Sequence, residues 1–304
     1  MYKTIKSEFD YIQAMKSLIN IKNLKDNRTG IKTYADYNYT FDFDLSTEQE
    51  LPILIGKHTA LKGALVEIIW IMKGLTDNKF LTENGVKYWS PWVKEDGTFG
   101  PVYGHQMRNF NGKDQLLNLI EGFEMNFLSR RHLISLWNPN DLKDMALPPC
   151  HFLYNFTTHY NPITKEKYFN LHVIQRSGDS FIGIPYDLLM FMYMMKIIGF
   201  VTGVEGRNLF LTVTDFHLYE NHVEALTEYE KEFQKNFKTI SKPVNIKWKD
   251  FVINEFLENG RPTIDSFLDF IVMNNFNVFE FKNKYDENWE GTKNLKKIKV
   301  DVAV

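Results

Sequence analysis

Cys150 is the one cysteine in 304 residues, and it stands in the run Ala146-Leu147-Pro148-Pro149-Cys150-His151. A lone thiol can form neither an intramolecular disulfide nor a multi-cysteine zinc site, which leaves a small buried hydrophobe or a nucleophile. Burial is the commoner fate of a free cysteine. Here two prolines stiffen the approach, and a histidine able to share a proton network follows directly. A second cluster, Gln175-Arg176-Ser177-Gly178-Asp179, sets a cation, a hydroxyl and a carboxylate behind a predicted strand. Arg beside Ser is a good phosphate grip; a surface salt bridge is the ordinary alternative. Arg130-Arg131 and Arg28, each taken alone, read as solvated charges. Glu67 interrupts an apolar helical run, where a carboxylate is costly unless it is partnered or lies at the solvent edge. Trp89, Trp92 and Tyr103 could stack on a planar ligand or simply fill a core. His217 and His222 are five apart, off a common helical face and without a third ligand, so no metal site is expected.

The elements that must position these residues are legible in outline. Ile5, Phe9, Ile12 and Met15 predict an amphipathic helix over 4–20, and Asn27-Arg28-Thr29-Gly30 a turn. Strands are expected over 34–43, 132–137, 151–157, 168–175 and 209–214, and helices over 59–73, 116–126, 186–199 and 219–233. The stretch 85–107, rich in Gly, Pro and Trp, reads as a loop. With no internal repeat and no low-complexity linker, strands interleaved with a few long helices predict a single α+β domain over 1–304.

Composition narrows the partners. Hydrophobic residues make up 44% and aromatics 15%, enough for a sizeable core, and one cysteine rules out a disulfide-built secreted scaffold. A net charge of −2 predicts no nonspecific hold on nucleic acid or on an anionic membrane. The N-terminus has no signal-peptide pattern, and the most apolar stretch, 188–200, is too short to span a bilayer and contains Lys196. A cytoplasmic protein is expected (in the bacterial host's cytoplasm if the chain is phage-encoded).

Taken in order, Arg28-Thr29-Gly30, Glu67-Ile68-Ile69-Trp70, Trp89, Gly100-Pro101-Val102-Tyr103-Gly104, Ser129-Arg130-Arg131, the Cys150 run, the Arg176 cluster and Asp215-Phe216-His217-Leu218-Tyr219 resemble the thymidylate synthase family from about residue 28 to Val304. The resemblance implies that fold, with a central mixed or antiparallel sheet against long helices. It implies that Cys150 adds to C6 of a pyrimidine nucleoside monophosphate, so that C5 attacks the one-carbon unit of 5,10-methylenetetrahydrofolate. His151 would share the proton network. Arg28, Arg176 and Ser177 would hold the phosphate, with Arg130 and Arg131 reaching it from the partner subunit of a homodimer. His217 and Tyr219 would bind the sugar, and Glu67 would order water over the base. Lys57, Trp89, Trp92, Asp179 and the closing tail Val302-Ala303-Val304 would serve the folate side. The positive field of the arginines would also favour the thiolate.

The departures from the family pattern carry the finer expectation. Asp187 stands where thymidylate synthases have Asn. An Asn amide donates to uracil O4 and accepts from N3–H; cytosine offers the reverse, and a carboxyl group that accepts from N4–H and shares its proton with N3 suits it. A carboxylate set against uracil O4 would cost about 1–3 kcal/mol. Capping the following helix is the ordinary role for such an Asp. Asp here is the pattern of deoxycytidylate hydroxymethylases, so the resemblance implies dCMP hydroxymethylation, with cytidylate methylation, CMP hydroxymethylation and thymidylate synthesis as alternatives. A silent nucleotide-binding protein is the non-enzyme alternative. Val213-Thr214 replaces the usual Gly pair, and His58 and Ala60 also differ from common family residues.

Overall fold

The computed structural model describes residues 3–21, 23–46, 53–237, 245–257, 259–282 and 295–301. The chain opens with a strand where a helix was expected. β1 (Lys3–Ile5) pairs in parallel with residues 39–41, and this pairing overrides the helical spacing. The helix begins only where Ser7 can cap it. The Asp10 N–H donates to Ser7 Oγ, whose hydroxyl donates back to the Asp10 carboxylate, and α1 then runs Glu8–Ile21. β2 (Leu24–Lys25) and β3 (Thr33–Asp44) follow, then α2 (Leu61–Met72), α3 (Asn78–Glu83), α4 (Tyr103–Asn109) and α5 (Gln115–Met125). β4 (Leu133–Ser135), β5 (His151–Tyr160), β6 (Lys167–Gln175) and the short β7 (Gly178–Asp179) lead into α6 (Gly183–Thr202). β8 (Glu205–Tyr219) and α7 (Val223–Phe237) come next, with β9 (Asn245–Trp248), α8 (Asp250–Leu257), α9 (Ile264–Met273) and β10 (Phe279–Lys282) beyond.

The main sheet has the order β1-β3-β8-β6-β5-β4, with β2 on β3 and β7 on β8. It is mixed: β3/β8, β5/β6 and β4/β5 are antiparallel, while β6/β8 is parallel. This is the α+β architecture expected. One face carries Tyr154, Phe156, Phe169, Leu171, Val173, Leu209 and Leu211, all essentially solvent-free, and α6 packs over it with α2 alongside. The opposite face carries Leu153, Ile174 and Phe210, only half-buried.

Two corrections bear on the site. β8 is far longer than the expected 209–214, because β3 pairs along it from Asn208 to Tyr219 and β6 and β7 flank it in parallel. Asp215, His217 and Tyr219 therefore sit on a rigid strand, and the helix expected from 219 starts only at Val223 after a single 3-10 turn. The stretch expected as a loop over 85–107 contains the start of α4. A third correction concerns α6, which extends to 20 residues and so is long and apolar enough to cross a membrane, yet 72% of that span is buried inside the fold. Its apolar surface is explained by core packing, all round the helix.

Candidate active site

The thiol is placed by backbone approach. Gly100 has φ +73°, and a Cβ there would lie 2.1 Å from the Asp144 carbonyl oxygen. A Cβ on Gly104 would lie 2.4 Å from the Leu75 carbonyl oxygen. These two glycines let the segment 99–104 press against its neighbours, so the Ala146 N–H reaches the Phe99 carbonyl at 2.9 Å. Tyr103 then accepts the Cys150 N–H on its hydroxyl at 2.8 Å. Arg176 fixes the same loop from behind: it donates to the Pro149 carbonyl at 2.8 Å and the Pro148 carbonyl at 3.0 Å, and its Nη2 lies 3.8 Å from Cys150 Sγ. Pro148 and Pro149 thus present carbonyls that a guanidinium fork can span.

Burial pushes the Cys150 thiol above its ordinary value; Arg176 and Arg28 pull it down, and Asp187 pushes it further up. The arginines favour the thiolate in the direction expected, but desolvation outweighs them. His151 turns the other way, into the core. Its Nδ1 pairs with the Tyr154 hydroxyl at 2.7 Å, its ring lies 4.4 Å from that of Tyr103, and burial lowers its pKa to about 3. At neutral pH it is an uncharged packing and orienting group.

The wall facing the thiol holds two carboxyl groups. Glu67 is 5% exposed on α2 and is not at the solvent edge. Trp89 Nε1 donates to its Oε1 at 2.7 Å, and the Tyr88 hydroxyl donates to its Oε2 at 2.5 Å. Burial raises the Glu67 pKa, and those two donors hold it back. Asp187, just past the first turn of α6, accepts from Gln175 Nε2 at 2.8 Å on Oδ2. No side-chain cap bond to the α6 backbone involves it; Asp179 Oδ1 accepts from the Phe181 and Ile182 N–H groups in the turn before the helix. Burial raises the Asp187 pKa to about 8, helped by the negative charges of Glu67 and Asp179 and opposed by Gln175. At neutral pH Asp187 is therefore mainly a neutral acid, and the carboxylate repulsion argued from the sequence acts only above about pH 8.

The remaining candidates divide. His217 Nδ1 sits 3.1 Å from Asp215 Oδ1. Burial opposes ionisation of Asp215, but bonds from His217 and Lys25 win and hold it at about 2. Tyr219 is half-buried, within electrostatic reach of Arg28, Cys150 and Asp179. Lys57 is turned inward: its amine donates to the Phe181 carbonyl, lies 4.2 Å from that ring's centre, and burial lowers its pKa to about 8. Trp89 is spent on Glu67, while Trp92 keeps a buried Nε1 without a partner among the described residues. Arg28 is exposed and Ser177 half-buried, both open to a ligand. Arg130 and Arg131 are exposed at the turn before β4, with neither guanidinium partnered among the described residues. Val304 and the tail beginning at Val302 lie outside the described residues, though the segment leading to them is held by Asn221 and His222 on the Asp301 carbonyl.

Sequence reasoning missed Tyr88, Gln175 and Glu8. Glu8, 6% exposed, accepts the Ile55 and Gly56 N–H groups and the Tyr229 hydroxyl, fixing the segment that carries Lys57. Gln175 had a signal, as a polar residue on the inward-facing register of β6; Tyr88 and Glu8 had none.

A thiol, an anion-binding rim and a wall of two buried carboxyl groups are the parts a nucleotide C5 transfer needs, and the comparisons agree. The family model for thymidylate synthase matches residues 9–263. The chain belongs to the thymidylate synthase family. It is 31% identical over 293 residues to a protein of Malacoplasma penetrans (strain HF-2) named thymidylate synthase, an alignment that covers 84% of this chain and 97% of that one. The protein is thus an enzyme of folate-dependent one-carbon transfer to C5 of a nucleotide, with methylenetetrahydrofolate as co-substrate.

Proposed function

We propose that the enzyme is a dCMP hydroxymethylase. The observation that carries the reading is Asp187, buried against Gln175 and held as a neutral acid. With Oδ2 accepting from Gln175, the proton belongs on Oδ1. The group then presents one acceptor and one O–H donor, the pair that cytosine N4–H and N3 require. Sharing that proton with N3 makes C6 a better acceptor for the Cys150 thiolate. Arg28, Arg176 and Ser177 hold the phosphate, and His217 and Tyr219 hold the sugar.

The steps follow from the positions. The Cys150 sulfur bonds to C6 and the electron pair moves to C5, which bonds to the one-carbon unit. Tetrahydrofolate then leaves with the pair of its bond to the one-carbon unit, C5 gives up its proton to that departing amine, and an exocyclic methylene remains on C5. Water adds to it, giving up a proton to Glu67, and the pair returns through the ring to expel the thiolate from C6. Burial that raises the Glu67 pKa suits it to take that proton.

Arg130 and Arg131 complete the phosphate grip from a partner subunit. Their exposure and the half-buried apolar residues Leu153, Ile174 and Phe210 on the sheet's uncovered face support a homodimer. The setting is cytoplasmic, where the mononucleotide and the reduced folate meet. Thymidylate synthesis stands as the second reading because the relative carries that name, and a neutral Asp187 with its proton on the other oxygen pairs with uracil.

One competition reaction tests this. Incubate the protein with dCMP, CMP, dUMP and methylenetetrahydrofolate, weigh the products, and follow dihydrofolate absorbance. Hydroxymethyl-dCMP without dihydrofolate is expected. A methylated nucleotide with dihydrofolate, or reaction of dUMP alone, overturns the proposal.

A further inference from the structure

The bond from Tyr88 to Glu67 has no place yet in the reaction. Glu67 Oε1 is held by Trp89 and Oε2 by Tyr88, one donor on each oxygen. A carboxylate has about four acceptor positions, so each oxygen keeps room for one more proton. The two donors come from neighbouring residues, which locks the plane of the carboxyl group on its helix. Tyr88 is itself set by its ring, 5.6 Å from that of Tyr186. The charged and titratable groups around Glu67 are Tyr88 from the segment after α3, Tyr186 and Asp187 from α6, and Tyr154 from β5. Of these, Tyr88 alone touches the carboxylate.

We propose that Tyr88 is a positioning residue of the reaction: its hydroxyl clamps Oε2 of Glu67, so that the carboxylate stands as the base for the water that adds to the one-carbon unit. The inference rests on the hydroxymethylase reading for the identity of that water. Tyr88 itself loses no proton. Burial and the adjacent Glu67 charge raise its pKa well above the ordinary tyrosine value, so the phenol remains a donor throughout. Its effect on Glu67 has a definite sign, since the bond favours the ionised carboxylate and opposes the rise caused by burial. Deleting the hydroxyl therefore lets the Glu67 pKa rise.

The test is Tyr88→Phe, which removes one oxygen and keeps the ring. The acid limb of the pH profile of kcat/KM is expected to move to higher pH. At the pH optimum kcat should fall roughly 10- to 100-fold, within the span of general acid–base effects, with dCMP binding by equilibrium titration unchanged. In a Glu67→Gln background the same substitution should change little further. Fluorotyrosine placed at position 88 retains the fold and strengthens the donor, so its limb should move to lower pH. A uniform loss of kcat with an unmoved limb in both variants, or a full additional loss in the Glu67→Gln background, overturns the proposal. Product mass keeps the two readings apart. If the wild type makes a methylated product, the hydroxymethylase reading fails, while the limb of that reaction still reports the clamp.

Discussion

The two sides of the site solve opposite electrostatic problems. On the side proposed to take the phosphate the charges are guanidiniums left in water: Arg28, Arg130 and Arg131 are exposed, while Arg176 is tied down by the carbonyls beside Cys150. On the base side the charges are carboxyl groups taken out of water, and burial pushes both Glu67 and Asp187 toward neutrality. An exposed cation costs little to keep and gains from a dianion when one arrives. A buried acid costs several kcal/mol unless it is bonded or protonated, and that cost makes it selective, because each missing bond to the base is felt in full. Under the proposed function the rim would supply affinity and the wall the choice of base. Cys150 lies between them: its own burial raises its pKa, Arg176 and Arg28 oppose that rise, and Asp187 adds to it.

The largest effect expected is at the junction itself. Cys150→Ser should lower turnover by on the order of 10⁴-fold or more while equilibrium binding of dCMP stays intact, because both sides of the site survive. Equal loss of binding and turnover would mean the thiol is structural.

Asp187→Asn tests the wall alone. The amide donates to O4 and accepts from N3–H, so the ratio of kcat/KM for dUMP over dCMP should rise by roughly 5- to 150-fold, the worth of about 1–3 kcal/mol of pairing. Stability should move too. Asp187 binds its proton more tightly folded, with pKa about 8 against 3.8, so the native state loses stability as pH rises from about 4 to 8. The Asn variant lacks that loss and should unfold at higher denaturant near pH 8. An unchanged base preference would remove Asp187 from base recognition.

Substitutions on the rim should leave base choice alone. Arg130→Ala with Arg131→Ala should raise the nucleotide KM by about tenfold or more without altering the dCMP to dUMP ratio. If these residues serve the partner's site, mixing this variant with Cys150→Ser restores activity in the hybrid dimer, which holds one site with the thiol and the arginines both intact. No recovery on mixing sinks the crossed arrangement.

The same contrast explains what the sequence could reveal. The lone Cys150 and the inward Glu67 could be singled out by type and setting, whereas the arginines and the odd Asp187 stood out only against the family pattern. What escaped were partners made by folding. Tyr88 and Gln175 matter because they touch Glu67 and Asp187; the inward register of β6 marks Gln175 as a polar residue needing a partner, but names none, and nothing in the local spacing of Tyr88 says so. The same holds for elements. The cores of α2 and α6 follow from apolar periodicity, whereas β1 and the full length of β8 are set by distant pairing with β3. Protonation states were also out of reach. A histidine next to the nucleophile suggested proton transfer, but the side-chain alternation of β5 sends His151 into the core.

The smallest effect expected lies behind the folate side, where Lys57 is a buried cation with the wall's problem and not the rim's. Its amine has one carbonyl partner and two aromatic neighbours, and burial lowers its pKa from 10.5 to about 8. Between those values the unfolded chain binds a proton that the native state does not, so stability rises with pH across that window, by about 3 kcal/mol at most. Below pH 8 the cost of carrying the proton indoors is present in full. Lys57→Met removes the titration and also the bond to the Phe181 carbonyl, worth about 1 kcal/mol. The variant should therefore be the more stable protein at pH 7, by about 2 kcal/mol, and the less stable one near pH 10.5. Urea midpoints measured from pH 7 to 10.5 read the crossing directly. Parallel curves would mean that the amine is solvated in the native state and that Lys57 belongs with the rim after all.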